Sequence, residues 1–252
     1  MFLQVENLRK TFGGLVAVSG FSLTVERGSV VSLVGPNGAG KTTTFNCVAG
    51  FHTPDSGSVV FDGVDVTGWR TDRLARRGMA RTFQNVRLFT NLNALENVMA
   101  ACAIRGRGTV LEALGFMSRD RRERREFRER SEALLDWVGV GDNRYRWPQE
   151  LPYGDQRRIE IARALATDPA LLILDEPTAG MVANEAHAAV ELMAKLRERG
   201  VTTLLVEHNM NVVMSVSDRI AVLNFGEKIA EGTPEQVRED PRVIEAYLGT
   251  ED

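Results

Sequence analysis

One octapeptide narrows the fold of this chain more than any other feature: Gly35-Pro-Asn-Gly-Ala-Gly-Lys41-Thr42 matches G-x-x-x-x-G-K-[ST] in full. It follows the apolar run Ser29–Val34, short enough for a buried strand of a parallel sheet, and it precedes a helix predicted to open at Lys41. The order strand, glycine loop, helix has a definite physical use. Gly35, Gly38 and Gly40 let the backbone curl so that successive N–H groups point inward at phosphate oxygens. The helix N-terminus adds its partial positive charge at the same point. Lys41 can then reach the outer phosphates, while the Thr42 hydroxyl can ligate a divalent cation.

A second apolar run, Leu171–Leu174, ends in Asp175-Glu176. A buried strand ending in a carboxylate puts Asp175 at the carboxyl edge of a sheet, where ligands of α/β folds bind. Asp175 is thereby placed to hold a Mg²⁺ shell, and Glu176 to polarise a water for in-line attack on a phosphate. No Asn-Lys-x-Asp base-reading motif and no second substrate pocket are visible, which argues against a G protein and a kinase.

The rest of the pattern agrees with an α/β chain. Phe2–Leu8 and Phe21–Val25 alternate apolar and polar residues, and Val59–Phe61 and Val64–Val66 flank Asp62-Gly63, a preferred hairpin turn. Thr203–Val206 is a further strand, and Glu185–Arg199 and Gln156–Ala166 are helices, the latter with Asp155 expected as N-cap. Between the two halves, Ala94–Ile104 and Ser131–Val138 read as helical around Arg119–Arg130, which packs seven Arg and four acidic residues into twelve positions. That segment is expected to be a solvated helix laced with i,i+3 and i,i+4 ion pairs, a basic patch facing lipid or a partner being the alternative.

Composition then excludes several classes. The 252 residues suit one α/β domain or two small lobes sharing a core, and 43% hydrophobic with 26% charged residues rules out wholesale disorder. The net charge of −3 argues against a nucleic-acid binder, although the balance is uneven: residues 1–126 carry +6 and the remainder −9. Two cysteines, Cys47 and Cys102, exclude a disulfide framework and fit a reducing compartment. No apolar run approaches the roughly 18 residues that span a bilayer, and Met-Phe-Leu-Gln-Val-Glu reaches charge too soon for a signal peptide. The expectation is a cytosolic protein whose membrane role, if any, is supplied by a partner.

Leu151-Pro-Tyr-Gly-Asp155-Gln-Arg-Arg, just before a helix and about twenty residues ahead of Asp175, resembles the signature motif of ABC ATPases. With it the whole chain resembles the ATP-binding subunit of an ABC transporter. The resemblance implies a P-loop NTPase core with an N-terminal antiparallel β-lobe and an inserted helical lobe. Within one domain, residues 1–90 and 158–252 would form the nucleotide-binding core and residues 91–157 the helical lobe carrying the signature. Gly35, Pro36, Asn37, Gly38, Ala39, Gly40, Lys41, Thr42 and Thr43 would cradle ATP, and Phe12 would stack on adenine. Thr42, Gln84 and Asp175 would hold Mg²⁺, and Glu176, His208 and Gln84 would serve hydrolysis. Pro152, Tyr153, Gly154 and Asp155 would meet the ATP of the opposite subunit, so the working unit is a dimer.

Phe45-Asn46, the Tyr-Gly-Asp-Gln-Arg-Arg signature, Ala179-Gly-Met181, the arginine-rich insertion near 105–130 and Ala246-Tyr-Leu-Gly249 resemble the branched-chain amino acid importers among these proteins. That implies a second ATPase subunit (a heterodimer, or else a homodimer), two transmembrane permease subunits and an external solute-binding protein, with the chain peripheral on the cytoplasmic face of the membrane. The basic stretch Arg70–Arg87 is the expected permease dock. Other cargo (urea, amides, an exported lipid) and a slow-turnover regulatory subunit remain as alternatives; a DNA-repair or translation ATPase would usually bring a second cassette or a coiled coil. Two positions depart from the family: Pro152 stands where the signature has serine, and Val182 where the subfamily has asparagine. Proline offers neither hydroxyl nor N–H, so an impaired signature is expected, the alternative being that the Gly154 N–H and the helix dipole suffice.

Overall fold

The computed structural model describes residues 1–102 and 121–248. Two sheets organise it. The first strands, β1 (Leu3–Phe12) and β2 (Leu15–Val25), pair antiparallel, and β4 (Ser56–Phe61) and β5 (Val64–Asp65) extend them to the order β2-β1-β4-β5. Both strands run further than the alternation alone marks, because Phe12 still pairs with Leu15. The β4–β5 connection turns at Asp62 (φ 47°) and Gly63 (φ 73°), the two left-handed residues that a tight hairpin of matching twist needs. One face of this sheet buries Leu3, Val5, Leu23, Val59 and Phe61, giving the β-lobe its core.

The second sheet is mostly parallel. It runs β10-β9-β3-β8-β7-β6, with β3 (Val30–Val34), β6 (Met79–Arg81), β7 (Leu171–Asp175), β8 (Thr203–Val206) and β9 (Arg219–Asn224) parallel and β10 (Glu227–Gly232) closing one edge antiparallel. Every residue of β3, β7 and β8 is buried, as continuous apolar strands covered on both faces must be. On one face lies α1 (Lys41–Val48), whose Phe45 is fully buried against the β-lobe core. The other face is covered by α3 (Ala94–Cys102), α5 (Tyr153–Ala166), α6 (Ala183–Glu198) and α7 (Met210–Val216). The short α2 (Thr71–Arg77), which the sequence pattern does not announce, leads into β6.

Ser131–Val138 is not a separate helix. It continues the arginine-rich segment as one element, α4 (Arg121–Trp137), carrying the i,i+4 pairs Arg122–Glu126, Arg125–Glu129 and Arg128–Glu132 at 3.4, 2.7 and 3.6 Å. Arg119 and the earlier part of the insertion lie outside the described residues. Asp155 is not the N-cap of α5 either. That position belongs to Pro152 (φ −53°, ψ 152°), because a proline's fixed φ fits a helix entrance and lets Tyr153 and Gly154 join the first turn. Two short C-terminal helices, α8 (Pro234–Glu239) and α9 (Pro241–Leu248), pack beside β10.

Candidate functional site

Four parallel strands are neighbours in the order β3-β8-β7-β6, so their carboxyl ends open on one edge of the sheet. The glycine loop leaves β3, His208 follows β8, Asp175 and Glu176 end β7, and Gln84 follows β6. Residues far apart in sequence are thus delivered to one line by topology alone.

The loop is built tightly on one side and open on the other. Gly35 has φ 149° and a Cβ there would lie 2.1 Å from the Leu223 carbonyl oxygen; Gly40 has φ 99° and a Cβ would lie 2.3 Å from the Ala17 oxygen. Gly38 (φ 81°) meets nothing within 4 Å. The β-lobe and β10 hairpin clamp the loop further: Gly226 N–H donates to the Ala39 oxygen at 2.9 Å, and Ser19 N–H to the Gly226 oxygen at 2.8 Å. Lys41 Nζ folds back on the loop and donates to the carbonyls of Gly35 (2.7 Å) and Pro36 (2.8 Å). Burial holds its pKa below the ordinary lysine value, Glu176 acting in the opposite sense. The N-cap of α1 is Gly40, which has no side chain to satisfy the first-turn N–H groups. An uncapped helix start with a lysine ammonium beside it on a glycine loop is the arrangement that an anion cradle needs. Thr42 and Asn37 are exposed at its rim, and Thr43 and Pro36 are half-buried.

Glu176 holds the next position. Its φ of 45° is left-handed, rare for a residue with a side chain, and its N–H is pinned to the Val206 oxygen at 2.8 Å. The carboxylate accepts from Gln84 Nε2 at 3.0 Å, and His208 Nδ1 lies 3.9 Å from the same oxygen. The three residues expected to serve hydrolysis therefore meet. Asp175, nearly buried, pairs with Arg81 at 2.8 Å. Phe12 is exposed at the end of β1, its ring edge-on to His52 at 5.3 Å.

The signature residues stand apart at the start of α5. Pro152 is exposed and Tyr153 half-buried, its hydroxyl 3.4 Å from Arg157. Gly154 is buried, and its N–H donates to Glu185 Oε1 at 3.1 Å; a Cβ at Gly154 would press on that carboxylate. Asp155 takes the Asn143 amide at 3.0 Å and faces Arg158 at 3.6 Å. Val182, the other departure, is 66% exposed at the N-cap of α6.

Several supporting residues escape the motif reading. Arg157 is fully buried, donating to the carbonyls of Gln84 (2.6 Å), Glu176 (3.3 Å) and Phe83, and to Glu160 at 2.8 Å. It ties the signature helix to the Gln84 and Glu176 loops. Burial raises the Glu160 pKa against the pull of Arg157 and Arg163. Glu207, with no exposed surface, accepts from the N–H and hydroxyl of Thr178 and the N–H groups of His208 and Asn209, locking the turn after β7 to the turn after β8. The signal for these was present: charged residues inside apolar helix or strand periodicity are buried only when paired.

Comparison with known proteins agrees with this geometry. The ABC transporter family model matches residues 18–179, and the model described as branched-chain amino acid ATP-binding cassette transporter matches residues 227–252. The chain is 47% identical over 248 residues to the high-affinity branched-chain amino acid transport ATP-binding protein BraF of Pseudomonas aeruginosa, covering 98% of this chain and 97% of that one. It is 44% identical to LivG of Escherichia coli, similarly named, over the same shares, and 37% identical to the lipopolysaccharide export system ATP-binding protein LptB of Haemophilus influenzae (98% and 97%). Among solved structures, the ADP conformation of MJ1267, an ATP-binding cassette of an ABC transporter, superposes with a TM-score of 0.85 at 32% identity over 99% of both chains. The dimeric cassette MJ0796 gives 0.78 at 29% identity, covering 92% of this chain and 99% of that one. The fold and these matches together place the chain in the ABC transporter family, as one of its ATP-hydrolysing cassettes.

Proposed function

We propose that this cassette powers an importer of branched-chain or related amino acids, working on the cytoplasmic face of a membrane. The observation that carries the cargo class is the match of residues 227–252 to the branched-chain family model, beside 47% identity to BraF. The likeness to LptB keeps an exported lipid as the second reading, at the lower identity of 37%.

In the proposed cycle the loop from Gly35 to Thr43 cradles ATP, Phe12 stacks on the base, and Lys41 leaves the Gly35 and Pro36 carbonyls for the phosphates. Thr42, Gln84 and Asp175 offer hydroxyl, amide and carboxylate oxygens, a hard donor set that suits Mg²⁺. Bound Mg²⁺ supplies charge neutralisation at the phosphates. Glu176 accepts the proton of the attacking water, with Gln84 donating to its carboxylate and His208 Nδ1 standing 3.9 Å from the same oxygen. A second cassette completes each site with its signature, whose counterpart here is Pro152–Asp155; dimeric MJ0796 is a precedent among similar chains. The partner subunit is another chain of this family, giving a heterodimer, with a homodimer as the alternative. Two permease subunits and an external solute-binding protein complete the transporter, and no nucleic acid is involved.

The permease dock lies in a groove of about 580 Å³ between α2, the Gln84 loop, α3 and α5, lined by Phe51, Leu74, Met79, Phe83, Phe89 and Arg163. The stretch Arg70–Arg87 borders it without forming one positive patch. Arg70 pairs with Asp72, Arg73 stacks on Trp69, Arg77 donates to the Asp62 carbonyl, and Arg81 turns inward.

Lys41→Ala tests the assignment. ATP affinity is expected to fall about tenfold or more with loss of the phosphate-facing charge, and leucine uptake by the assembled transporter to cease. Nucleotide titration and uptake of labelled leucine check both; unchanged affinity would remove the loop from its role.

A further inference from the structure

Asp175 does not stand alone at the sheet edge. Arg81 Nη2 donates to its Oδ2 at 2.8 Å, and Arg81 Nη1 donates to Asn46 Oδ1 at 2.7 Å. The two charged side chains are only 11% and 7% exposed. Aromatic rings surround the guanidinium: its central carbon lies 4.7 Å from the centroids of both Phe45 and Phe51 and 5.6 Å from that of Phe83. The remaining nitrogen, Nε, is buried with no hydrogen-bond partner. An arginine keeps its charge in such surroundings, and an orphaned N–H is tolerated only where the rest of the group is firmly held.

We propose that Arg81 is a resident counter-ion of Asp175 that sets how tightly the site holds Mg²⁺ with nucleotide. It is a positioning residue, acting through a carboxylate, and the inference rests on the proposal that Asp175 is the Mg²⁺-holding group. Two effects oppose each other. Arg81 fixes the carboxylate, which favours metal binding, and it places a permanent positive charge on one carboxylate oxygen, which disfavours a second cation. The backbone decides between them. Asp175 is held in β7 by its pairing with β8, and its N–H points to Thr82 Oγ1 at 3.3 Å, so without Arg81 only two side-chain torsions loosen. That loosening is worth a few-fold, whereas a unit charge sharing the same carboxylate in a dry site is worth about tenfold or more. Charge wins, and the arginine weakens the metal's hold.

The test is Mn²⁺ affinity of the full chain with ADP bound, read by electron paramagnetic resonance. R81M, which refills the aromatic cage without charge, is expected to bind Mn²⁺ about tenfold tighter than wild type. R81Q, the fallback should R81M not fold, carries the same expectation. R81K, which keeps the charge, is expected within about threefold of wild type. D175N is expected to weaken binding, and in the R81M/D175N double variant the gain is expected to vanish, because Arg81 acts only through that carboxylate. Unchanged or weaker binding in R81M and R81Q, with D175N weakened, would overturn the counter-ion while leaving Asp175 in its place. An unaffected D175N would overturn both.

Discussion

Cys47 on α1 and Glu176 after β7 are each defined by what surrounds them. Glu176 is held in left-handed backbone, a strain of about 1–3 kcal/mol that persists only where neighbours over-determine it. Those neighbours are the Val206 carbonyl, Gln84 and His208. Cys47, on the buried side of α1, has its thiol pushed up to about 11, chiefly by burial, with Lys10 pulling it down and Asp55 pushing it up. The neutral thiol is therefore the form the fold favours. Its contribution to stability is full below the ordinary thiol value of 9.0 and is lost as pH rises from there through about 11. Two outcomes are expected: iodoacetamide at pH 8 leaves the native chain unmodified for hours, and Cys47→Ala flattens part of the fall in urea midpoint above pH 9. Rapid native-state alkylation of Cys47 would contradict the burial. Residues of this kind show why the site was only partly legible in the sequence. Lys41, Asp175 and Glu176 lie in contiguous motifs, whereas Arg81, Arg157 and Glu207 act through partners 73 to 94 and 29 positions away. Only the fold brings those pairs together.

The signature helix is where the element scale matters. With Pro152 at its N-cap, α5 starts on a carbonyl that accepts from the N–H groups of Asp155 and Gln156, both at 3.1 Å, and with no side-chain cap. A serine there restores a hydroxyl at the cap and a backbone donor, while Gly154 N–H remains engaged by Glu185. Pro152→Ser is expected to raise phosphate release by the isolated chain about tenfold, the lower end of what a charge-assisted hydrogen bond of about 1.5–3 kcal/mol supplies. Steady-state assays at saturating ATP check it. No gain would mean that the helix N-terminus suffices without the serine. A gain would support an asymmetric pair in which this chain's own loop works with a partner's intact signature, while its signature serves the partner poorly. Helix entrances are hard to place from sequence for the reason seen here. Asp155 has the right chemistry for a cap, yet proline's backbone preference starts the helix three residues earlier.

At the scale of the whole molecule, the strand order β3-β8-β7-β6 does most to make a site, because it lines up four loops on one edge. Three of those strands, β3, β7 and β8, are readable as short apolar runs. Their order is not, since no pattern along Leu171–Asp175 says that β8 and β6 flank it. The two short elements α2 and β6 were missed because seven and three residues are too few to carry a period. The proposal that this edge carries is that the chain hydrolyses ATP with Glu176 as the base, in a sandwich completed by a second cassette. Glu176→Gln tests it most directly, because the amide keeps the shape and loses the basic oxygen. Phosphate release and retained nucleotide are measured on the same sample, with sedimentation reporting the dimer. ATP binding is expected to stay close to wild type, turnover to fall by about a hundredfold or more, and the ATP-bound dimer to be long-lived. Turnover within a few-fold of wild type, with no dimer accumulating, would contradict the proposal.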